Sequence, residues 1–187
     1  AGVADGMGGH AAGEIASAMT VESVIDEIKN WVGAWHPLST AADVDQFGPT
    51  QSVREDLTDR LSEALQKANK QVVLEAERDP TKRGMGTTCT AAALSNGKLH
   101  VAHVGDSRAY LFRSGELTQL TQDHSWVQEQ VDLGKITAYE AWYHPRKNII
   151  TRAIGLDEDI NVDTYVSAVV TGDLILLCSD GLNTMLK

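Results

Sequence analysis

Two long stretches of helical periodicity beside a run of short strand-like segments predict an α+β fold, in which sheet layers are flanked by helices. A third observation points the same way. Turn dipeptides, Asn96-Gly97 and Ser114-Gly115, separate apolar runs at hairpin spacing. The 187 residues can bury a sizeable core and no low-complexity linker divides them, so residues 1–187 are expected to form a single domain.

The elements follow in order. A short apolar segment ends at Asp5 and is followed at once by the glycine-rich run Gly6-Met7-Gly8-Gly9-His10. Val21, Val24, Ile28, Trp31 and Trp35 then recur at steps of three and four, which places one apolar stripe on a helix from about His10 to Trp35. Val53, Leu57, Leu61, Leu65, Ala68 and Val72 describe a second helix. Ser52 with Glu55 forms a capping box at its start, and Asp79-Pro80 ends it. Strands are expected over Thr87 to Leu94, Leu99 to Val104, Ala109 to Phe112 and Leu117 to Leu120. From Ser125 to Gly155 the hairpin pattern lapses, with short helical stretches around Val127 to Leu133 and Thr137 to Trp142. Leu174 to Cys178 is a continuous apolar run, the pattern of a strand buried on both faces.

Charge narrows the function classes. A formal net charge of -10 argues against nucleic acid and against an anionic membrane surface, which both attract clustered Lys and Arg. It would also repel a phosphoprotein unless bound cations invert the local sign. Cys89 and Cys178 lie in apolar runs and read as buried free thiols of a reducing compartment, with a disulfide between neighbouring strands as the alternative. No apolar stretch is long enough to span a bilayer and no signal peptide is visible, so a cytoplasmic placement without direct membrane insertion is expected.

Three strand-like segments each deliver one Asp beside a glycine: Asp5-Gly6, Gly105-Asp106 and Asp180-Gly181. Asp-Gly alone is a common turn dipeptide, so the concurrence is what carries weight. Two carboxylates about 4 Å apart at an effective dielectric near 20 repel by roughly 4 kcal/mol, a cost that a bound cation removes. Oxygen ligands favour magnesium, manganese or calcium over zinc. Gly6, without a side chain, lets its carbonyl approach an ion closely.

Asp5-Gly-Met-Gly-Gly-His10, Gly86-Thr87-Thr88, Val104-Gly105-Asp106-Ser107-Arg108, Asp123-His124-Ser125, His144-Pro145 with Asn148 to Gly155, and Ser179-Asp180-Gly181-Leu182 stand in this order. The set resembles the ordered motifs of bacterial-type metal-dependent protein phosphatases, the type 2C Ser/Thr family, nearly end to end. Only the stretch from about Trp31 to Thr50 is uninformative. The resemblance implies an α-β-β-α sandwich of two antiparallel sheets flanked by helices, with the metal site where strand ends of both sheets meet. It also implies a flap over about residues 125–155. Trp126, His144, Arg146 and Arg152 are its substrate-access candidates, against the alternative of a solvated lid with aromatics tucked beneath it.

The implied chemistry is hydrolysis of phosphoserine and phosphothreonine monoesters by a metal-activated water, with two or three Mn²⁺ or Mg²⁺ ions and no phosphorylated protein nucleophile. Asp5 would bridge two ions and Gly6 would offer its carbonyl. Asp180 would bind the first ion and reach toward a third, of which Asp106 would be a further ligand. His10 is a candidate catalytic residue, protonating the leaving alkoxide or orienting a water. The alternative is that it caps the helix it begins; in eukaryotic relatives a His directly follows the Asp-Gly pair, where this chain has Met7. His103, His124 and His144 read as structural. The implied partners are phosphorylated proteins, either substrates of Ser/Thr kinases or the kinases themselves.

The first strand ends already at Asp5 and Lys187 falls just past the start of a helix, so both ends are expected to be cut. In the family an Arg that grips phosphate and an acidic ligand precede the first motif, and another Asp ligand follows the last. No position here matches them. This leaves the chain's own turnover open and makes a phosphoprotein-binding pseudophosphatase or regulatory fragment the alternative function. Unpaired sheet edges would favour self-association. Two other readings fail on the residues. Gly105-Asp106-Ser107 resembles a serine-esterase nucleophile block, but the order of its partners is wrong. A cysteine-type phosphatase needs an Arg soon after its Cys, and neither Cys89 nor Cys178 has one.

Overall fold

A computed structural model describes residues 1–34 and 52–185, and they form two antiparallel sheets with a helix pair on one side. The first sheet has the order β1-β4-β5-β8 (Gly2–Val3, Cys89–Ser95, Lys98–Val104, Asp163–Ala168). The second has the order β7-β6-β9 (Glu116–Gln119, Arg108–Arg113, Leu174–Cys178). A two-residue ladder, β2 with β3, joins Gly6–Met7 to Gly86–Thr87. Helices α1 (His10–Ala34) and α2 (Ser52–Arg78) pack on each other and on the first sheet.

The period of two along β4 and β5 divides the apolar residues between two cores. Cys89, Ala91, Ala102 and Val104 face the helices and meet Ala16, Leu61, Leu65 and Val72. Ala92, Leu99 and Val101 face the other sheet and meet Ala109, Ile175 and Leu177. Both faces are covered, so these strands read as unbroken apolar runs rather than as alternation. Asn96 with Gly97 and Ser114 with Gly115 all adopt positive φ, between 50° and 87°, as two-residue hairpin loops matching strand twist require.

The α1 stripe differs from expectation. Val21 is 37 % exposed, and the row turned inward is Gly13, Ala16, Thr20, Val24 and Ile28. The cause is a backbone contact: a Cβ on Gly6 would lie 2.0 Å from the Gly13 carbonyl oxygen, so β2 rests directly on the first turns of α1. That contact fixes the rotation of the helix, and Val21 lies one step off the inward row. The side chains of Trp31, Trp35, Val53 and the capping pair Ser52 and Glu55 lie outside the described residues. On α2 the expected row is buried from Leu57 to Val72, and Asp79 caps a 3-10 turn after the helix by accepting the Thr81 N–H at 3.0 Å.

Strand β8 was not foreseen. It pairs with β5 from Lys98↔Ala168 to His103↔Asp163, which sets Asp163 beside the end of β5. Buried Asn69 pins the approach to this strand to α2: its amide donates to the carbonyls of Asp157 (2.9 Å) and Glu158 (3.0 Å), and its Oδ1 accepts the Gly155 N–H at 2.7 Å. Helix α5 (Asp180–Met185) reaches the outer side of the second sheet, where Tyr110 donates its hydroxyl to Asn183 Oδ1. Cys89 and Cys178 are both buried and free, and burial pushes the Cys89 thiol up to about 12. Among the described residues no helix is long and apolar enough to cross a membrane.

Gly13→Ala places a Cβ 2.7 Å from the Gly6 carbonyl carbon with only backbone to yield. Denaturant unfolding is expected to show a loss of roughly 1–3 kcal/mol, the range for overpacking a filled site.

Candidate metal centre

Asp5 lies between β1 and β2 and is held by its backbone. Its N–H donates to Thr88 Oγ1 at 3.0 Å, and its carbonyl accepts from the Thr88 N–H and from the Thr87 hydroxyl, both at 2.9 Å. The Gly86-Thr87-Thr88 motif is therefore a clamp on Asp5. The Thr88 hydroxyl also pairs with Ser107 Oγ at 2.7 Å and so ties this clamp to the turn bearing Asp106. In that turn Gly105 has φ 111°, and a Cβ there would fall 2.5 Å from the Thr88 side chain. Asp180 opens α5 directly after β9, so three strand ends present the three carboxylates.

Electrostatics place them in one field. Asp5 is raised above the usual carboxylate range, first by burial, then by the charge of Asp180 and a hydrogen bond between the two carboxyls. Asp106 is pushed up to about 6, first by burial and then by the charges of Asp180, Asp123 and Asp5. Among the described residues no three His, Cys, Asp or Glu side chains form a finished cage for an ion. The Asp5 and Asp180 pair, with Asp106 beyond it, thus offers part of a coordination sphere. All donors are oxygens, which suits a hard divalent cation. Gly6 is demanded by its contact with Gly13, a reason not visible in its spacing. His10 is the first residue of α1, and its side chain lies outside the described residues.

A cleft of about 300 Å³ opens beside these carboxylates, lined by Asp106, Asp180 and Arg108 on one side and by Val131, Trp142 and Lys147 on the other. The second wall comes from the flap, whose helices are α3 (Trp126–Asp132) and α4 (Ala138–Tyr143). Ser125 caps α3, and Thr137 with Glu140 closes a capping box on α4. Trp126 stacks on His144 with centroids 4.8 Å apart, and the Arg146 guanidinium lies 5.1 Å over the Trp126 ring. Arg152 does not join them: it is committed to Asp163 and to the Asn161 carbonyl at the base of the flap, with His124 Nε2 also 3.1 Å from its Nη1. His103 is buried between the Thr90 hydroxyl (2.8 Å) and the Gln122 carbonyl (3.0 Å), and burial drives it down to about 4, so it is neutral at pH 7. The sequence singled out the carboxylates. It picked out Thr88 within a motif but gave it no role, and it missed Asp163, whose short polar side chain carries no spacing signal.

The whole chain, residues 1–187, matches the family model described as Protein phosphatase 2C. The serine/threonine phosphatase stp of Listeria welshimeri is 43% identical over 183 residues, 98% of this chain and 66% of its own length. The serine/threonine protein phosphatase PstP of Mycobacterium tuberculosis is 38% identical over 181 residues, 97% of this chain and 31% of its own length. The chain therefore spans just under two thirds of the Listeria relative. Among solved structures, that of PstP/Ppp from M. tuberculosis superposes with a TM-score of 0.79 at 37% identity, covering 99% of this chain and 69% of that one. The catalytic domain of PstP in complex with 2 manganese ions gives 0.75 at 36% identity, covering 99% and 68%.

Asp106→Asn is expected to stabilise the metal-free chain. A carboxyl raised from 3.8 to about 6 adds stability below the unfolded value and loses it as pH rises through about 6. Denaturant unfolding at pH 7.5 should show a gain of about 1–3 kcal/mol for the variant, vanishing near pH 4.

Proposed function

The chain belongs to the protein phosphatase 2C family, and on that premise we propose that it removes phosphate from phosphoserine and phosphothreonine in proteins, with divalent cations held at Asp5, Gly6, Asp106 and Asp180. One observation supports this most: Asp106 and Asp180 line a single cleft, and Asp180 acts on both Asp106 and Asp5, which are each raised first by burial and then by its charge. Two or three Mn²⁺ or Mg²⁺ ions are the natural occupants of such an oxygen-only set. When bound, they neutralise phosphoryl oxygens and make water acidic enough to attack phosphorus.

The chain's own groups prepare this. Thr87 and Thr88 hold the Asp5 backbone, so its carboxylate is placed without reorganisation when charge develops. Gly6, the next residue after Asp5, would add its carbonyl to that set. Lys147 lines the cleft opposite Asp106 and Asp180 and offsets part of the charge that a phosphate dianion meets. The stack of Arg146, Trp126 and His144 forms a ready-made apolar and cationic surface on the flap for the peptide around the phosphoresidue. Substrates are then phosphorylated proteins, including Ser/Thr kinases and their products.

The test is turnover of p-nitrophenyl phosphate and a phosphothreonine peptide, measured on the chain and on the protein extended to the length of the Listeria relatives. Manganese-dependent turnover is expected, with Asp180→Asn lowering it by roughly 100-fold or more. A folded, manganese-binding protein without turnover would instead be the phosphoprotein-binding pseudophosphatase.

A further inference from the structure

We propose that the Asp123-His124 dipeptide is a splint that sets Asp106 in place, which makes both of them positioning residues for the candidate centre. The inference rests on the reading of Asp106 as a cation ligand. The Gly105-Asp106-Ser107-Arg108 turn between β5 and β6 is held on both sides of Asp106 by these two adjacent residues. Before Asp106, the Gly105 N–H donates to His124 Nδ1 at 3.0 Å while the Gly105 carbonyl accepts the His124 N–H at 2.7 Å. Both backbone groups of one glycine are thus met by one histidine. After Asp106, Arg108 donates to the two oxygens of Asp123, from Nε at 2.8 Å and Nη2 at 2.7 Å, a bidentate fork that fixes direction as well as distance.

The histidine is oriented in turn. A backbone N–H can only donate, so Nδ1 is bare and the ring proton sits on Nε2, which faces Asp163 Oδ2 at 3.1 Å; Arg152 Nη1 is also 3.1 Å from Nε2 and turns its two hydrogens to Asp163 Oδ1 and the Asn161 carbonyl. Asp163 pairs with Arg152 from the far root of the flap, and the Thr151 N–H donates to the His124 carbonyl at 2.9 Å. The ring is 5 % exposed, with both nitrogens partnered. Thr88 closes the third side through Ser107, so the turn has little slack. A turn of this kind needs no imidazole for its own sake. What the imidazole adds is a fixed link between the flap roots and the carboxylate beside the cleft. A shift of about 1 Å in such a group can cost on the order of 10²-fold in rate.

Two readouts on the full chain test this: amide hydrogen exchange at Gly105 without metal, and Mn²⁺ binding by EPR. His124→Leu keeps the volume but removes the acceptor. It is expected to speed Gly105 exchange about tenfold, the worth of one net hydrogen bond, and to weaken the same Mn²⁺ that Asp106→Asn weakens. His124→Asn puts its Oδ1 where Nδ1 was and should restore both to within about threefold. His124→Gln places its amide near the Nε2 position and should restore neither. A merely structural histidine would lower stability yet leave Mn²⁺ affinity of the folded protein intact, and that result would overturn the proposal. Unchanged Gly105 exchange in a folded His124→Leu protein would overturn it too. If His124→Leu does not fold, the contrast of Asn with Gln decides, and equal behaviour sinks the splint. If Gly105 responds as expected but Asp106→Asn leaves Mn²⁺ binding untouched, it is the ligand reading of Asp106 that fails.

Discussion

Mutual repulsion among Asp5, Asp106 and Asp180 is the constraint around which this end of the molecule is organised. Burial and the charge of Asp180 raise Asp5 and Asp106 above the usual carboxylate range, and without a cation this repulsion opposes folding. The surroundings hold them there regardless. Threonine hydroxyls clamp Asp5, a glycine turn packed on Thr88 carries Asp106, and α5 starts at Asp180 as soon as β9 ends. Stability is supplied elsewhere, chiefly by the two apolar cores on either face of β4 and β5. This is the pattern of a site kept for binding and chemistry rather than for the fold.

The polar groups within the cores serve the same end. Thr90 lies at 0 % exposure between His103 and the Ser107 carbonyl, and His103 passes the connection to the Gln122 carbonyl. A chain of buried hydrogen bonds therefore runs from the middle of the first sheet to the segment that enters the flap. Such networks are worth little in net energy but specify one arrangement, because a partner lost inside leaves an unsatisfied group behind. The segment from residue 125 to 155 is connected to the turn that bears Asp106 by this chain and by the ion pairs of Arg108 and Arg152, not by apolar packing alone.

Much of this was legible in the sequence. Helix periodicity, the Asn-Gly and Ser-Gly hairpins and the apolar runs reflect local rules of backbone geometry, and α1, α2, β4 to β7, β9 and both flap helices lie where those rules put them, but β9 is not buried on both faces as its apolar run predicted, because Leu174 and Leu176 are exposed on the side away from the first sheet. Three Asp residues beside glycines pointed to a candidate cation site because carboxylate and glycine have few reasons to recur together at strand ends. What the sequence could not determine depends on contacts between distant segments. The rotation of α1 follows from Gly13 meeting Gly6, and so Val21 left the core. The commitment of Arg152 to Asp163 follows from β8 pairing with β5, and the clamp on Asp5 follows from threonines more than eighty residues away. Periodicity reports which face of an element is apolar. Only close packing in three dimensions decides which backbone it touches and which polar side chain is left to hold a ligand in place.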